Sequence, residues 1–153
     1  MPVPPLAPAR PPGAHALRTK PESLRVFICD DDQAFAEELA SALTASGFEA
    51  RTLRDGRTPV EIFELFAPDV VLLDIFMPPP DGFEMMNLIA QHRQRRATSL
   101  VLMSGADSGL LDTATHFSMG RGIKPAAVLR KPVRLADILA VCIAHRRAPR
   151  AAV

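Results

Sequence analysis

Short apolar runs alternate with segments of helical periodicity through most of the 153-residue chain. The apolar runs predict five β-strands, and the longer segments, where apolar residues recur every three or four positions, predict five α-helices. The predicted strands are 24–29, 48–53, 69–73, 99–103 and 126–130. The predicted helices are 33–46, a segment from 59, a segment after 82, then 108–119 and 135–145. This β-α alternation favours an α/β fold, in which helices cover both faces of a parallel sheet.

Local signals indicate where the helices begin and which sides face the sheet. Asp32 and Thr58 suit the caps of the first two helices, and Pro59 occupies a favoured first-turn position. The third strand, 69–73, contains the unbroken apolar run 70–73, which predicts burial on both faces. The second strand, 48–53, alternates in character and is expected at or near a sheet edge. In the first and last helices, the positions predicted to face inward are Phe35, Leu39, Ala42, Leu43, Leu135, Ile138, Leu139 and Cys142. The apolar positions of the second and third helices are Val60, Ile62, Phe63, Phe66, Phe83, Met86, Leu88 and Ile89.

Composition narrows the class of protein. Apolar residues make up 48% and charged residues 23% of the chain, which is typical of a globular protein, and a net charge of +1 argues against a dedicated nucleic-acid binder. No apolar run approaches the roughly 20 residues of a membrane span, and no signal peptide is recognisable. Cys29 and Cys142 have no metal-ligand spacing and are expected to be reduced thiols. We therefore expect a cytoplasmic protein.

The two ends of the chain differ from its middle. Residues 1–23 are rich in Pro, Ala and Arg and nearly lack large apolar side chains, so they are predicted to be a disordered tail. A single domain is predicted over 24–147, and 148–153 is predicted to be a second tail.

Polar side chains follow four of the predicted strands directly. Asp30 and Asp31 come after the first strand, Asp74 after the third, Ser104 after the fourth and Lys131 after the fifth. In open parallel sheets, ligands bind beyond the carboxyl ends of the strands, where these five side chains would meet. Carboxylate oxygens favour Mg²⁺ or Mn²⁺, and the ammonium and hydroxyl would suit the oxygens of a phosphoryl group.

Four segments together resemble the receiver domain of two-component response regulators. They are CDDDQAF (29–35), VVLLDIFMPPPDGFEMM (70–86), LVLMSG (100–105) and VLRKPV (128–133). The most specific is the D-x-x-M-P-x-x-D-G element from Asp74 to Gly82. The resemblance covers about residues 25–144 and implies a flavodoxin-like doubly wound (βα)₅ fold with a five-stranded parallel sheet of order 2-1-3-4-5.

The resemblance implies a metal site for Mg²⁺ (or Mn²⁺). Asp31 would ligate the ion directly and Asp30 largely through water, while Asp74 and the backbone carbonyl of Phe76 would complete the protein ligands. Asp32 is interpreted as the helix cap and not as a ligand.

The resemblance also implies roles for the reacting groups. Asp74 matches the aspartate that accepts a phosphoryl group, Ser104 the hydroxyl that closes onto its oxygens, and Lys131 the lysine that pairs with the carboxylate and then with the phosphoryl group. Pro132 follows at a position where a cis Lys-Pro bond is common in the family. The chain departs from the pattern at Val128, where receivers usually have an aromatic switch residue.

The resemblance also implies a path for hydrolytic water, and the two residues that flank this path are apolar. Phe76 and Ala106, two residues beyond Asp74 and Ser104, offer no polar side-chain atom to orient that water. We therefore hypothesise a long-lived phosphoryl group.

The resemblance implies a stand-alone signalling receiver in a phosphorelay, and not a turnover enzyme. A histidine kinase or histidine phosphotransfer protein would phosphorylate Asp74, and the change would reach an unknown partner through helix 4, strand 5 and helix 5, or produce a homodimer. No direct nucleic-acid or membrane partner is expected. Two alternatives stay open: a receiver-like scaffold that takes no phosphate, and an Mg²⁺-dependent aspartyl phosphatase, which would want an Asp where Phe76 stands.

Overall fold

Five strands and five helices alternate along the chain in the computed structural model, which describes residues 23–53, 57–92, 98–105 and 108–147. The strands are β1 (Arg25–Cys29), β2 (Glu49–Thr52), β3 (Val70–Asp74), β4 (Ser99–Ser104) and β5 (Ala127–Arg130). The helices are α1 (Gln33–Ala45), α2 (Pro59–Phe66), α3 (Gly82–Gln91), α4 (Ser108–Gly120) and α5 (Leu135–Arg147). All ten elements were predicted, with boundaries that agree to within about two residues.

The strands form one parallel sheet in the order β2-β1-β3-β4-β5, which confirms the predicted fold class and strand order. Every residue of β3 is buried, as its apolar run predicted, because β3 lies at the centre of the sheet. The alternating strand β2 lies at an edge, also as predicted.

Two hydrophobic cores lie on opposite faces of the sheet, because neighbouring residues in a strand point to opposite sides. One core joins Val26 and Ile28 of β1 to buried residues of α1 and α5. The other joins Phe27 and Cys29 of β1 to buried residues of α2, α3 and α4. Cys29 and Cys142 therefore lie in different cores, and both are free buried thiols.

Two apolar helix positions are exposed, and for Leu135, which was predicted to face inward, the prediction is wrong. Val60 is 46% exposed, because its position on α2 is about 200° around the helix from buried Ile62. Leu135 is 39% exposed, because it is the first residue of α5 and lies at the helix end. The other predicted inward positions are buried or partly buried.

Some predictions concern residues beyond the part that the structure describes. Ala106, the tail 148–153 and the tail 1–23, apart from Ser23, lie outside the described residues. Within the described segments, none of the helices combines the length and the apolar character that crossing a bilayer requires.

Candidate functional site

The carboxyl edge of the sheet brings the predicted polar residues together. Asp30 directly follows β1, Asp74 and Ser104 end β3 and β4, and Lys131 follows β5. Backbone pairing extends to this edge, where the Lys131 N–H donates to the Ser104 carbonyl oxygen at 2.9 Å. Because the sheet is parallel, chain segments far apart in sequence end side by side here.

The Lys131 ammonium lies between two carboxylates from different strands. Its Nζ is 2.5 Å from Asp30 Oδ2 and 3.0 Å from Asp74 Oδ2. Asp30 is 3% and Asp74 5% exposed, so both carboxylates are held away from bulk water. A buried carboxylate requires a compensating partner, and Lys131 provides one for both.

The same ammonium lies over an aromatic ring, a contact that the sequence did not suggest. Lys131 Nζ is 5.1 Å from the centroid of the Phe35 ring on α1, within the range of a cation–π interaction. Phe35 was predicted as a core residue, and it does pack partly buried against the α1/α5 core. No local pattern could have revealed its second contact, because the two residues meet only through the fold.

The three consecutive aspartates have different environments. Asp32 Oδ1 accepts a hydrogen bond from the Phe35 N–H at 3.1 Å, which confirms Asp32 as the cap of α1. Asp30 Oδ1 accepts from the Asp32 N–H at 2.9 Å, and Asp31 is exposed. The three carboxylates are thus divided between a buried ion pair at Asp30, an exposed side chain at Asp31 and a helix cap at Asp32.

Three carboxylates form a group that fits a hard cation. One ligand atom from each of Asp30, Asp31 and Asp74 can be chosen so that all lie within 4.8 Å of one another. Both Asp30 oxygens already accept hydrogen bonds, from Lys131 and from the Asp32 N–H, which suits contact through water. An all-oxygen donor set that leaves room for water is the chemistry that Mg²⁺ prefers.

Burial and ion pairing act in opposite directions on the protonation of this site. Burial raises the pKa of Asp74 above its usual value, and the nearby Lys131 ammonium only partly offsets this. Burial also disfavours the charged form of Lys131, but its hydrogen bonds to Asp30 and Asp74 outweigh that effect and raise its pKa. Burial raises the pKa of the Cys29 thiol well above its usual value, with a smaller contribution from Asp30, so Cys29 lies beside the site as an inert thiol.

The turn after β3 holds Asp74 through its backbone. The Phe76 N–H donates to Asp74 Oδ1 at 3.1 Å, while the Phe76 side chain is 77% exposed. Ile75 is held from both sides, since its N–H donates to the Met103 carbonyl and its carbonyl accepts from the Gly82 N–H. Gly82 has no space for a side chain, because a Cβ atom would lie 2.5 Å from Ile75 Cα.

The remaining predicted features lie on β4 and β5. Ser104 is fully buried at the end of β4, and the Lys131–Pro132 peptide bond is cis, as expected from the resemblance. Val128 is 43% exposed on β5, so no aromatic ring occupies the usual switch position. A second cis bond, Pro79–Pro80, was not predicted.

Comparison with known proteins places this arrangement in a family. The response regulator receiver domain family matches residues 26–142. Transcriptional regulatory protein PdtaR of Mycobacterium tuberculosis is 32% identical over 116 residues, which cover 75% of this chain and 53% of PdtaR. Response regulator MprA of Mycolicibacterium vanbaalenii is 31% identical over 122 residues, which cover 76% of this chain and 48% of MprA. The chain thus spans about half the length of these relatives.

A solved structure supports the fold independently. Chemotaxis protein CheY4 of Vibrio cholerae superposes with a TM-score of 0.68 at 21% identity, and the match covers 80% of this chain and 98% of CheY4. At that identity the likeness concerns the fold alone.

Proposed function

The chain belongs to the response regulator receiver domain family, and we propose that it accepts a phosphoryl group on Asp74 from a histidine kinase or a histidine phosphotransfer protein. The observation that carries this proposal is the Lys131 ammonium bound to Asp30 and Asp74, beside exposed Asp31. A carboxylate held in this way keeps a fixed orientation, because both of its oxygens accept hydrogen bonds.

The proposed transfer is a displacement at phosphorus. An Asp74 carboxylate oxygen attacks the phosphorus atom of a phosphohistidine, the O–P bond forms as the P–N bond breaks, and the imidazole leaves with the electron pair and takes up a proton. The Phe76 N–H and the Lys131 ammonium orient the attacking carboxylate, since they hold Oδ1 and Oδ2 respectively. Ser104 and Lys131 would then bind the phosphoryl oxygens.

Asp30, Asp31, Asp74 and the Phe76 carbonyl would hold Mg²⁺ or Mn²⁺, as the acidic group in the structure suits such an ion. A bound divalent cation would offset negative charge on the incoming phosphoryl group. Lys131 contributes a single positive charge against the three carboxylates of this group, so a divalent cation would balance the remaining negative charge.

The proposed output surface is formed by α4, β5 and α5. Four of the seven large apolar side chains that are exposed in the described segments lie on these three elements, namely Met119, Val128, Leu135 and Ile143. We propose that phosphorylation favours one pre-existing arrangement of this surface, which then binds a partner protein or a second copy of the chain. On this proposal the chain is a phosphoryl acceptor and not a turnover enzyme.

The acyl phosphate is expected to hydrolyse slowly. The exposed Phe76 side chain lies two residues from Asp74 and has no atom that could orient an attacking water. Protein labelled with acetyl phosphate should keep its phosphoryl group for minutes after the donor is removed, as followed by intact mass spectrometry. Loss within seconds would contradict the proposed effect of Phe76.

The proposal is tested by incubating the protein with Mg²⁺ and acetyl phosphate. Intact mass spectrometry should show one added phosphoryl group, which hydroxylamine removes, and Asp74→Asn should stay unlabelled. Beryllofluoride should shift the NMR signals of α4, β5 and α5 in the wild type only. Continuous release of phosphate from simple phosphate esters would instead indicate a phosphatase. If neither reagent produces a response in folded protein, the scaffold alternative holds.

A further inference from the structure

Met119, in the last turn of α4, is the most exposed methionine of the described segments. It is 55% exposed, whereas the four other methionines that the structure describes are at most 8% exposed, namely Met77, Met85, Met86 and Met103. Exposure decides which thioether a peroxide can reach. We propose that Met119 is a selective and reversible oxidation site, and that its oxidation makes the α4/β5/α5 output surface more polar. The consequence for output rests on the function proposed above, whereas the oxidation itself does not.

The rotation of α4 explains why Met119 is exposed. Ser118 continues the buried stripe of Ala114 toward the sheet. Phe117 contacts the Phe83 ring of α3, with the two ring centroids 5.1 Å apart. Successive residues turn by about 100° around a helix, so Met119 lies on the side of Ser118 opposite to Phe117. That side points away from α3 and toward β5, the strand that follows β4 at the edge of the sheet.

The last turn of α4 does not depend on the Met119 side chain. The Gly122 N–H donates to the Met119 carbonyl at 3.0 Å, and the Ile123 N–H donates to the Ser118 carbonyl at 3.0 Å. The Ser118 hydroxyl donates in turn to the Ile123 carbonyl at 2.5 Å. An oxygen added to the Met119 sulfur breaks none of these bonds and opens no cavity in the core, so the oxidised protein should stay folded.

The position of Met119 separates its oxidation from the acceptor chemistry. The chain after α4 returns to the sheet where the Ala126 N–H donates to the carbonyl of Leu100, near the beginning of β4. Asp74 and Ser104 instead end β3 and β4. Met119 therefore lies toward the amino edge of the sheet, and its oxidation should leave the labelling of Asp74 unchanged.

The oxidation is a two-electron transfer from sulfur to a peroxide. The Met119 sulfur attacks one oxygen of hydrogen peroxide, and the S–O bond forms as the O–O bond breaks. The leaving hydroxide takes the proton of the transferred oxygen, so the products are the sulfoxide and water. Methionine sulfoxide reductase reverses the step with two thiols as the reductant. Cys29 and Cys142 are both buried, so neither thiol competes with Met119 for the peroxide.

The test treats the full chain with hydrogen peroxide and follows each methionine by peptide mapping and mass spectrometry. Met119 should be oxidised at least about tenfold faster than Met85, Met86 or Met103, because buried side chains react only when the structure opens locally. In hydrophobic-interaction chromatography the oxidised protein should elute earlier, since the sulfoxide is polar, and methionine sulfoxide reductase should restore the original retention.

Met119→Leu is the matched control, because it keeps an apolar side chain on the surface and removes the sulfur. Peroxide should change its retention much less than that of the wild type. Met1, which lies outside the described residues, is present in both proteins, so its oxidation affects both equally.

Three results would overturn the proposal. The first is oxidation of the buried methionines as fast as Met119, and the second is an equal change of retention in the wild type and in Met119→Leu. The third is labelling of Asp74 by acetyl phosphate that slows in proportion to the Met119 sulfoxide, which would place the effect at the acceptor site. Absence of labelling with and without peroxide would contradict the proposed function alone, since the peptide mapping and the chromatography do not depend on it.

Discussion

Replacing Gly82 with alanine should destabilise the protein and disturb the acceptor site together. The new Cβ would lie 2.5 Å from Ile75 Cα and 2.8 Å from its carbonyl oxygen. Carbon atoms in contact are normally at least about 3.5 Å apart, so one backbone must move by about 1 Å. Ile75 cannot move freely, because its N–H is bonded to Met103, its carbonyl to Gly82, and its side chain is 2% exposed.

The magnitude follows from two opposing effects. Overpacking of this kind costs about 1–3 kcal/mol, while the lower entropy of the unfolded alanine chain recovers about 0.4–1 kcal/mol. The free energy of unfolding should therefore fall by about 1–2 kcal/mol, seen as a urea midpoint lower by about 1 M. Acetyl phosphate should also label Asp74 more slowly, since the Phe76 N–H that holds Asp74 Oδ1 belongs to the displaced turn.

Gly120→Ala is the matched control, since a Cβ at Gly120 meets no atom within 4 Å. This variant keeps the entropic effect without the clash, so its stability should be unchanged or rise by up to about 1 kcal/mol. Equal urea midpoints for the two variants would refute the reasoning, because the turn after β3 would then accommodate the new Cβ atom without loss of stability.

Three further predictions follow from the contacts of the site and of α2. Phe35→Leu should slow the labelling of Asp74 about two- to fivefold by removing the ring beneath Lys131, and Phe35→Tyr should restore it; equal rates for both variants would contradict the role of the ring. Because burial raises the pKa of Asp74, ¹³C NMR titration should find its carboxyl protonated at a higher pH than that of an ordinary aspartate. Added Mg²⁺ should move the titration midpoint to lower pH. A midpoint below the ordinary value in the absence of Mg²⁺ would refute the effect of burial. Thr58→Ala should lower stability by about 1 kcal/mol in urea unfolding through loss of the α2 cap. Hydrogen bonds from the backbone and side chain of Thr58 hold the pKa of Glu61 below its usual value, so the contribution of Glu61 is present above its unfolded pKa and is lost as pH falls through the folded one. Glu61→Gln should remove this acid-sensitive part of the stability, and a Glu61→Gln variant as pH-sensitive as the wild type would contradict this.

The sequence was sufficient to predict the fold and the grouping of the polar residues at the sheet edge. Buried strands in parallel sheets are continuous apolar runs, so the first polar residue after such a run marks the end of the strand. Asp74 is an example. Parallel strands then bring those breaks to one edge, whatever lies between them. The capping role of Asp32 was predictable for a similar reason, because a cap depends only on its own helix.

Contacts that depend on how elements pack could not be predicted in this way. The ring of Phe35 meets Lys131 only because α1 lies beside the end of β5, and nothing in either segment indicates it. The exposure of Val60 depends on how the short helix α2 is rotated about its axis. Its three buried residues, Ile62, Phe63 and Phe66, face the sheet, and this rotation leaves Val60 exposed. The close approach of Gly82 to Ile75 likewise cannot be predicted without knowing the backbone path of the turn between them.

The position of Lys131 indicates how a chain without the usual aromatic switch could transmit a change at Asp74. Its ammonium binds Asp30, which follows β1, and Asp74, which ends β3. Its backbone follows β5 directly, and its N–H donates to the carbonyl of Ser104 on β4. On the proposed function, phosphorylation replaces one of those carboxylates by an acyl phosphate, so Lys131 must exchange a partner. That exchange acts directly on the strand that carries exposed Val128, and no ring has to move for the change to reach the α4/β5/α5 surface.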